Sequence, residues 1–193
     1  MKLHYMGKYN MDPESLPHGE HMSGAVPFRE PKDTKTLSLI ATGISLVLAI
    51  FFGAPVFIRG IDYWGSPQVT LGCFASLLVF LPHEFLHAIC FRSDVYLYTN
   101  LKQGMLFVTG PETMSKRRFI FMSLLPNIVF GFIPYVLWII FPDLVSLAIF
   151  GALNISSGAG DYINVFNGLT QMPRGSCTYI YGMHSYWYMP EKK

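Results

Sequence analysis

The chain has 193 residues, of which 51% are hydrophobic and only 13% are charged, whereas a typical soluble domain is roughly 25% charged. Its mean hydropathy is +0.35, so an ordinary soluble globular protein is excluded and a membrane protein is favoured. The 14 Lys and Arg residues nearly balance the 12 Asp and Glu residues, leaving a net charge of +2. A nucleic-acid-binding protein with a strongly basic face is therefore also excluded. The three cysteines, Cys73, Cys90 and Cys177, form no C-x-x-C pair, so we expect neither a disulfide framework nor a cysteine-built zinc site.

The N-terminal segment differs in character from the rest of the chain. Residues 1–35 combine Pro, Gly, His and mixed charges without a helical or alternating pattern, so we predict a polar N-terminal extension. A charge-free run then extends from Thr36 to Ile58. About 20 helical residues cross the hydrocarbon core of a bilayer. This run is therefore predicted to be the first transmembrane helix, and its length distinguishes it from the short apolar region of a secretory signal.

Three further apolar runs are long enough to span a bilayer. They extend from about Thr70 to Phe91, from Phe119 to Pro142 and from about Leu144 to Leu169. The middle run is free of charge, whereas the other two contain ionisable side chains. Ionisable groups inside a membrane are costly and usually face a protein interior or a water-filled cavity. We therefore expect the functional residues in the second and fourth spans.

Two shorter segments have the composition of strands. Between spans two and three, the segment Ser93–Ser115 is rich in β-branched and aromatic residues, with Asn100 and Gly104 around a turn, which predicts a β-hairpin. The segment Cys177–Met189 is aromatic and strand-like, and its Tyr and Trp residues suit a membrane interface. The predicted fold is an all-α polytopic membrane protein with four transmembrane helices and a small cytoplasmic β-hairpin between helices two and three. The predicted domains are the extension 1–35, a four-span domain 36–170 and an aromatic cytoplasmic tail 171–193.

The distribution of basic residues predicts the orientation. Four spans would place the N-terminus, the hairpin and the C-terminal tail on one side of the membrane. That side carries 13 of the Lys and Arg residues, and the other side carries Arg59 alone. Because cytoplasmic loops are enriched in Lys and Arg, both termini are predicted to be cytoplasmic. The unpaired cysteines agree with this reducing compartment.

The second span contains the candidate chemistry. Residues 83–87 read His-Glu-Phe-Leu-His, an H-E-x-x-H pattern. Residues four apart share one face of a helix, so His83 and His87 can bind one Zn²⁺ while Glu84 acts as general base toward water. An uncompensated charge in a membrane costs about 3 kcal/mol or more, which favours a metal site over a hydrogen-bonded structural cluster. The preceding Pro82 is either a tolerated membrane proline or the cause of a kink, since it frees the Leu78 carbonyl.

A catalytic zinc site with two histidines needs a third protein ligand. At 1.5 Å per residue, Asp161 and His83 both lie about 12 Å from the cytoplasmic ends of their spans, so Asp161 is the predicted ligand. The alternative is a capping or salt-bridged aspartate. Asn127 lies about 13 Å deep in the third span and is predicted to be catalytic, donating a hydrogen bond to the substrate carbonyl or oxyanion. Helix packing is its alternative role. If Asp161 is not the ligand, Glu112 and His184 are the next candidates.

At these residues the chain resembles the zincin-peptidase family of small bacterial membrane proteins, formerly a domain of unknown function, and is similar to the site-2 protease group of intramembrane metalloproteases. The resemblance extends from about Thr70 to Gly168. It implies zinc-dependent proteolysis in or next to a bacterial plasma membrane by a multi-pass protein. The residues that carry it are His83, His87 and Asp161 as zinc ligands and Glu84 as base. The chain departs from the site-2 pattern because Asn154 is not followed by proline and Asp161 is not followed by glycine.

The predicted function is therefore that of a membrane-embedded zinc endopeptidase whose substrate is a membrane protein or peptide. The alternative is a metal-binding membrane adaptor or regulator that hydrolyses nothing. Glu84 distinguishes the two, because a binding module has no use for a general base beside its ligands. A transporter with Glu84 and Asp161 as a proton relay is disfavoured, since the chain shows no inverted repeats.

Overall fold

A computed structural model describes residues 1–31, 33–59 and 65–191. Within these ranges it contains seven α-helices and seven β-strands, together with a π-helical segment that joins α4 to α5. The helices are α1 (Thr34–Arg59), α2 (Pro67–Leu78), α3 (Phe80–Ala88), α4 (Lys116–Pro126), α5 (Ile133–Ile140), α6 (Val145–Ser157) and α7 (Ala159–Gln171), and the π-helical segment is Asn127–Phe132. The strands are β1 (Lys2–Lys8), β2 (Val26–Pro27), β3 (Asp94–Asn100), β4 (Met105–Thr109), β5 (Met114–Ser115), β6 (Cys177–Tyr181) and β7 (His184–Tyr188).

Two helices in the described part of the chain are long and apolar enough to cross a membrane. One extends from Lys35 to Arg59 and the other from Lys116 to Ile140, and each has 25 residues. They coincide with the first and third predicted spans, so helices of spanning length are confirmed at both places. The charge-free runs of the sequence were sufficient to locate them.

The predicted second span is bent. Helices α2 and α3 meet at Val79 with an angle of 44°, and the pair is either a broken span or a re-entrant loop. Pro82 has no N–H to donate to the Leu78 carbonyl, and the break lies directly after Leu78. Of the two roles considered for Pro82, the structure therefore supports the one in which it causes a kink.

The predicted fourth span is interrupted at Gly158, which separates α6 from α7. Helix α6 has 13 residues and is about 20 Å long, whereas the hydrocarbon core is about 30 Å thick. The structure is 56% helix and 18% strand, with two clear candidate spans. The predicted all-α fold with four transmembrane helices is therefore wrong. The apolar run was long enough for a span, but a glycine break divides it into two short helices.

Three strands form the first sheet, in the order β1-β3-β4. The central strand β3 pairs with β1 in parallel and with β4 antiparallel. A 3₁₀ turn, Leu101–Gln103, joins β3 to β4 and ends at Gly104, whose φ of +63° requires glycine or a tolerant residue. The predicted hairpin is confirmed. Strand β1 comes from the segment that the sequence pattern left without regular structure, because its seven residues do not alternate in polarity.

Four strands form the second sheet, in the order β2-β7-β6-β5 and antiparallel throughout. Its central hairpin, β6 and β7, confirms the strand-like character predicted for the aromatic tail. Strands β2 and β5 contribute two residues each. Both sheets belong to the first of two compact units, which contains residues 1–30, residues 84–123 and the chain from Asn164 onward.

The core of this first unit is made by residues from all three of its segments. Ala88 and Val95 are fully buried at its centre, and the ring of Phe28 packs edge-on against Phe119 with centroids 6.2 Å apart. A second cluster is formed by Tyr9, Leu16 and Tyr98. The N-terminal segment is thus an integral part of this unit.

The second unit contains residues 31–83 and 124–163 and is helical. Glycines allow its helices to approach closely: a Cβ on Gly72 would lie 2.7 Å from the Ser146 carbonyl oxygen, and one on Gly151 would lie 2.8 Å from the Gly131 carbonyl oxygen. Small residues at helix contacts are typical of membrane proteins, where close backbone packing replaces the hydrophobic effect. Helix α6 therefore packs tightly against α2 and against the π-helical segment.

Candidate functional site

Helix α3 carries the three side chains of the H-E-x-x-H pattern. His83 and Glu84 are half-buried and His87 is buried, and one ligand atom from each lies within 4.8 Å of the other two. This grouping follows from the helix itself, because positions 83 and 87 are one turn apart and share a face. The pair of histidines is arranged as a metal-binding pair requires.

A backbone carbonyl fixes the ring of His87. The Nδ1 atom lies 3.0 Å from the Met122 carbonyl oxygen, which can only accept, so Nδ1 is the donor of this hydrogen bond and Nε2 is the candidate metal-binding atom. In a regular helix this carbonyl would accept from residue 126, but that residue is Pro126 and has no N–H. A proline inside α4 thus leaves one carbonyl to orient a histidine of another helix.

Asp161 lies in the first turn of α7 and its carboxylate faces His83. The distance from Asp161 Oδ2 to His83 Nε2 is 3.2 Å, and both side chains are largely buried. The same oxygen accepts a 2.7 Å hydrogen bond from Asn127 Nδ2. The three residues that the depth estimate placed at one level are therefore neighbours, although the four-span fold behind that estimate is wrong.

Glu84 contacts the edge of the first sheet. Its Oε2 accepts a 3.0 Å hydrogen bond from the Val108 N–H in β4. Among the described residues, β4 pairs with β3 on one side only, and in an antiparallel pair the N–H groups alternate between the partner and the open edge. The Val108 N–H therefore points to the open edge of the sheet, where it holds the carboxylate of Glu84.

The side chains of His83, His87 and Asp161 are of the chemical types that bind zinc. Two imidazoles and one carboxylate are the ligands of many catalytic zinc sites, and the hydrogen bond from Nδ1 makes Nε2 the candidate metal-binding atom of His87. Two ligands about 2.0–2.1 Å from a tetrahedral ion lie roughly 3.3 Å apart, close to the 3.2 Å between His83 Nε2 and Asp161 Oδ2. The carboxylate of Asp161 is also largely buried, and a bound cation would compensate its charge there.

The two reserve ligands have other partners. Glu112 accepts hydrogen bonds from the N–H groups of Arg92 and Ser93 and forms an ion pair with Arg118. Burial acts to raise the pKa of Glu112, but these hydrogen bonds outweigh it and lower the pKa to about 2. His184 Nδ1 lies 3.9 Å from a carboxylate oxygen of Glu30. Neither arrangement resembles a metal centre.

Sequence reasoning missed the groups that hold the site together. The Met122 carbonyl and the Val108 N–H are backbone groups, so the residue type does not indicate their role. The spacing of four between Met122 and Pro126 was the one available signal, but it becomes meaningful only when His87 is known to lie beside it. The proximity of Gly158 to Asn127 likewise depends on residues far apart in the sequence.

The comparison with protein families decides the class of the chain. The sequence model of the family described as "Putative zincin peptidase" matches residues 76–177, just over half of the chain. The chain belongs to this zincin peptidase family. Membership indicates a zinc-dependent metallopeptidase and covers the H-E-x-x-H helix, the hairpin, Asn127 and Asp161. Neither the curated proteins nor the solved structures contain a significant match.

Proposed function

We propose that this chain is a zinc endopeptidase that cleaves peptide bonds in or next to the bilayer, with His83, His87 and Asp161 as zinc ligands and Glu84 as general base. The observation that carries the proposal is the 3.2 Å approach of Asp161 Oδ2 to His83 Nε2. It supplies a third donor to a pair of histidines that already share one face of α3. Family membership supports the choice of metal and reaction.

In the proposed hydrolysis, each proton transfer is assigned to Glu84, whose position the structure gives. Zinc, when bound, would supply a Lewis acid that polarises the substrate carbonyl and lowers the pKa of water. Glu84 would take a proton from the attacking water as its oxygen bonds to the carbonyl carbon. As the C–N bond breaks, Glu84 would return the proton to the leaving amine. The Val108 N–H orients the carboxylate for both transfers.

The open edge of β4 is the proposed binding surface for the substrate backbone. A transmembrane helix conceals its amides in its own hydrogen bonds, so a protease must hold the scissile segment extended. Adding a strand to a sheet edge does this through main-chain hydrogen bonds. Strand β3 of the hairpin is paired on both sides. Strand β4 has the open edge, and Glu84 contacts it.

The surroundings of the H-E-x-x-H helix support a substrate that comes from the membrane. Apolar side chains remain exposed along the whole of α2 and α3 in the described structure, where a lipid phase would cover them. The exposed apolar residues at the end of α2 and in α3 are Leu77, Leu78, Phe80, Leu81 and Phe85. A membrane protein or a membrane-bound peptide is therefore the proposed substrate, and the cytoplasmic side is the proposed side of cleavage.

The test combines zinc content with peptide cleavage for the detergent-purified chain and its Glu84→Gln variant. The amide keeps the volume of Glu84 but takes no proton from water at neutral pH, so we expect zinc to remain and cleavage of a panel of single-span membrane peptides to fall by about 10²–10⁴-fold. His83→Ala is the matched control and should lose zinc and cleavage together. Full activity in Glu84→Gln would exclude the general-base role. Bound zinc without cleavage by the parent chain would favour the metal-binding regulator.

A further inference from the structure

Asn127 is buried at the point where α4 passes into the π-helical segment. It is 1% exposed, and its Nδ2 donates a 2.7 Å hydrogen bond to Asp161 Oδ2. The acceptor is the same oxygen that faces His83 Nε2. Since the acceptor is a carboxylate, this is a charge-assisted hydrogen bond, shorter and stronger than one between neutral groups.

Gly158 provides the space that Asn127 occupies. It lies in the break between α6 and α7, with φ −78° and ψ 18°, a conformation open to any L-residue. A Cβ at this position would lie 1.8 Å from Asn127 Oδ1 and 2.6 Å from its Cγ. Glycine is therefore required here for space and not for backbone conformation. Gly160, two residues later, would accept a Cβ without any atom within 4 Å.

From this geometry we infer that Asn127 is a positioning residue that fixes the carboxylate of Asp161 toward His83. The absence of a side chain at Gly158 leaves the space that the Asn127 amide occupies. The inference rests on the proposed role of Asp161 as zinc ligand. An aspartate side chain rotates about two bonds, and the amide restrains that rotation so that one oxygen keeps its direction. This role replaces the direct contact with substrate that the sequence suggested for Asn127. Loss of such outer partners typically weakens metal binding by about 10–100-fold.

The first measurement is the zinc dissociation constant of the full-length chain in detergent, determined by competition with a chelator. We expect Asn127→Ala to weaken zinc binding by about 10–100-fold. Asn154→Ala is the control: this buried amide donates to the Phe150 carbonyl at 2.7 Å within its own helix and should leave zinc affinity unchanged. The same pair is then compared in an Asp161→Ala background, where Asn127→Ala should cause no additional loss. An equal loss in both backgrounds would show a general structural effect and overturn the inference.

The second measurement compares two glycines. Gly158→Ala should weaken zinc binding because the new methyl group displaces the Asn127 amide, whereas Gly160→Ala should bind zinc as the parent chain does. The double variant Asn127→Ala/Gly158→Ala lacks the three Asn127 atoms that lie nearest to the added methyl group, so its zinc affinity should equal that of Asn127→Ala alone. This variant keeps the test valid if Gly158→Ala alone does not fold. A double variant with lower affinity than Asn127→Ala would contradict the assigned role of Gly158.

The outcomes separate this inference from the proposed function. If Asp161→Ala loses zinc while Asn127→Ala binds it normally, Asp161 remains the ligand and the positioning role is wrong. If Asn127→Ala binds zinc normally but has a lower kcat, Asn127 acts directly on the substrate and not through Asp161. If Asp161→Ala binds zinc as tightly as the parent chain, the ligand assignment fails, and the role of Asn127 fails with it.

Discussion

Single backbone and side-chain contacts decide how the chemical groups are oriented. Pro126 leaves the Met122 carbonyl for His87, and the Val108 N–H holds Glu84. The loop after α3 is fixed in the same manner: the Arg118 guanidinium donates to the Cys90 carbonyl at 2.7 Å and pairs with Glu112. Each contact joins the motif helix, or the residues just after it, to a neighbouring element. The position of α3 against the hairpin therefore depends on a few polar contacts between partly buried groups.

The Glu112 contact gives a prediction about stability and pH. Its pKa is lowered to about 2, whereas a glutamate in an unfolded chain titrates near about 4.3. A lowered folded-state pKa adds stability that is fully present above the unfolded value and is lost as the pH falls toward 2. Glu112→Gln should thus lower the free energy of unfolding by about 1–3 kcal/mol at pH 7, and the difference should shrink between pH 5 and 2. Thermal unfolding in detergent against pH measures this.

The control for Glu112 is Glu20→Gln, at an exposed glutamate of the N-terminal segment. It should change the melting temperature little at any pH, because exposed charges contribute little to stability. A Glu112→Gln chain as stable as the parent at pH 7 would mean that the contacts of Glu112 with Arg92, Ser93 and Arg118 do not stabilise the fold.

At the scale of elements, breaks in regular structure position the candidate ligands. The bend before α3, the π-helical segment and the gap at Gly158 each accompany a residue of the site. The bend follows from the missing N–H of Pro82, whereas Gly158 is needed because a side chain there would clash with Asn127. Because β3 is the central strand, β4 lies at the edge of the sheet beside Glu84. A substitution at this edge can test whether it binds the substrate backbone.

The N–H groups of β4 alternate in direction, so the Leu106 N–H points to the same open edge as the Val108 N–H. Proline removes an N–H and is tolerated where that group faces away from the sheet. We expect Leu106→Pro to raise KM for peptide cleavage severalfold while zinc content stays unchanged. Steady-state kinetics and metal analysis of the same samples measure the two effects.

Leu106→Ala is the matched control, since it shortens the side chain but keeps the N–H, and it should cleave nearly as the parent chain does. Phe107→Pro removes a hydrogen bond to β3 and should impair folding. Normal cleavage by Leu106→Pro would mean that the hairpin only connects α3 to α4 and does not bind the substrate backbone.

At the scale of the whole molecule, strand pairing links three distant segments of the chain. Strand β1 pairs with β3, β2 with β7, and β5 with β6. Strands that share hydrogen bonds lie on the same side of a membrane, so we expect the N-terminal segment, the hairpin and the tail on one side. These segments contain most of the basic residues, and we therefore expect this side to be cytoplasmic.

Cysteine labelling of intact cells tests this orientation in a background without the three native cysteines. Cysteines at Tyr5 and Glu191, both exposed positions, should be blocked only by a reagent that crosses membranes. A cysteine at the exposed Pro67, the first residue of α2, should react with an impermeant reagent. Reaction of either terminal position with the impermeant reagent would reverse the orientation and place the cleavage site on the outer side.

The sequence alone determined those features that depend on local spacing or on composition. Charge-free runs located α1 and the helix from Lys116 to Ile140 because the bilayer sets the required length. The spacing of four placed His83 and His87 on one helix face, and turn residues located the hairpin. These signals come from residues close together in the chain, where helix and turn geometry is fixed by the backbone.

Tertiary structure alone decided the contacts between distant residues. Strand β1 forms because β3 offers a partner more than 80 residues away, and its own pattern carries no strand signal. The long apolar run from Leu144 to Leu169 is divided at Gly158, and the neighbour of this glycine is Asn127, which no local pattern reveals. The depth estimate placed Asp161 at the level of His83, but the direction of its carboxylate depends on contacts with the Asn127 amide and His83. Composition indicates which residues can lie in a membrane, whereas packing between segments determines which of them meet.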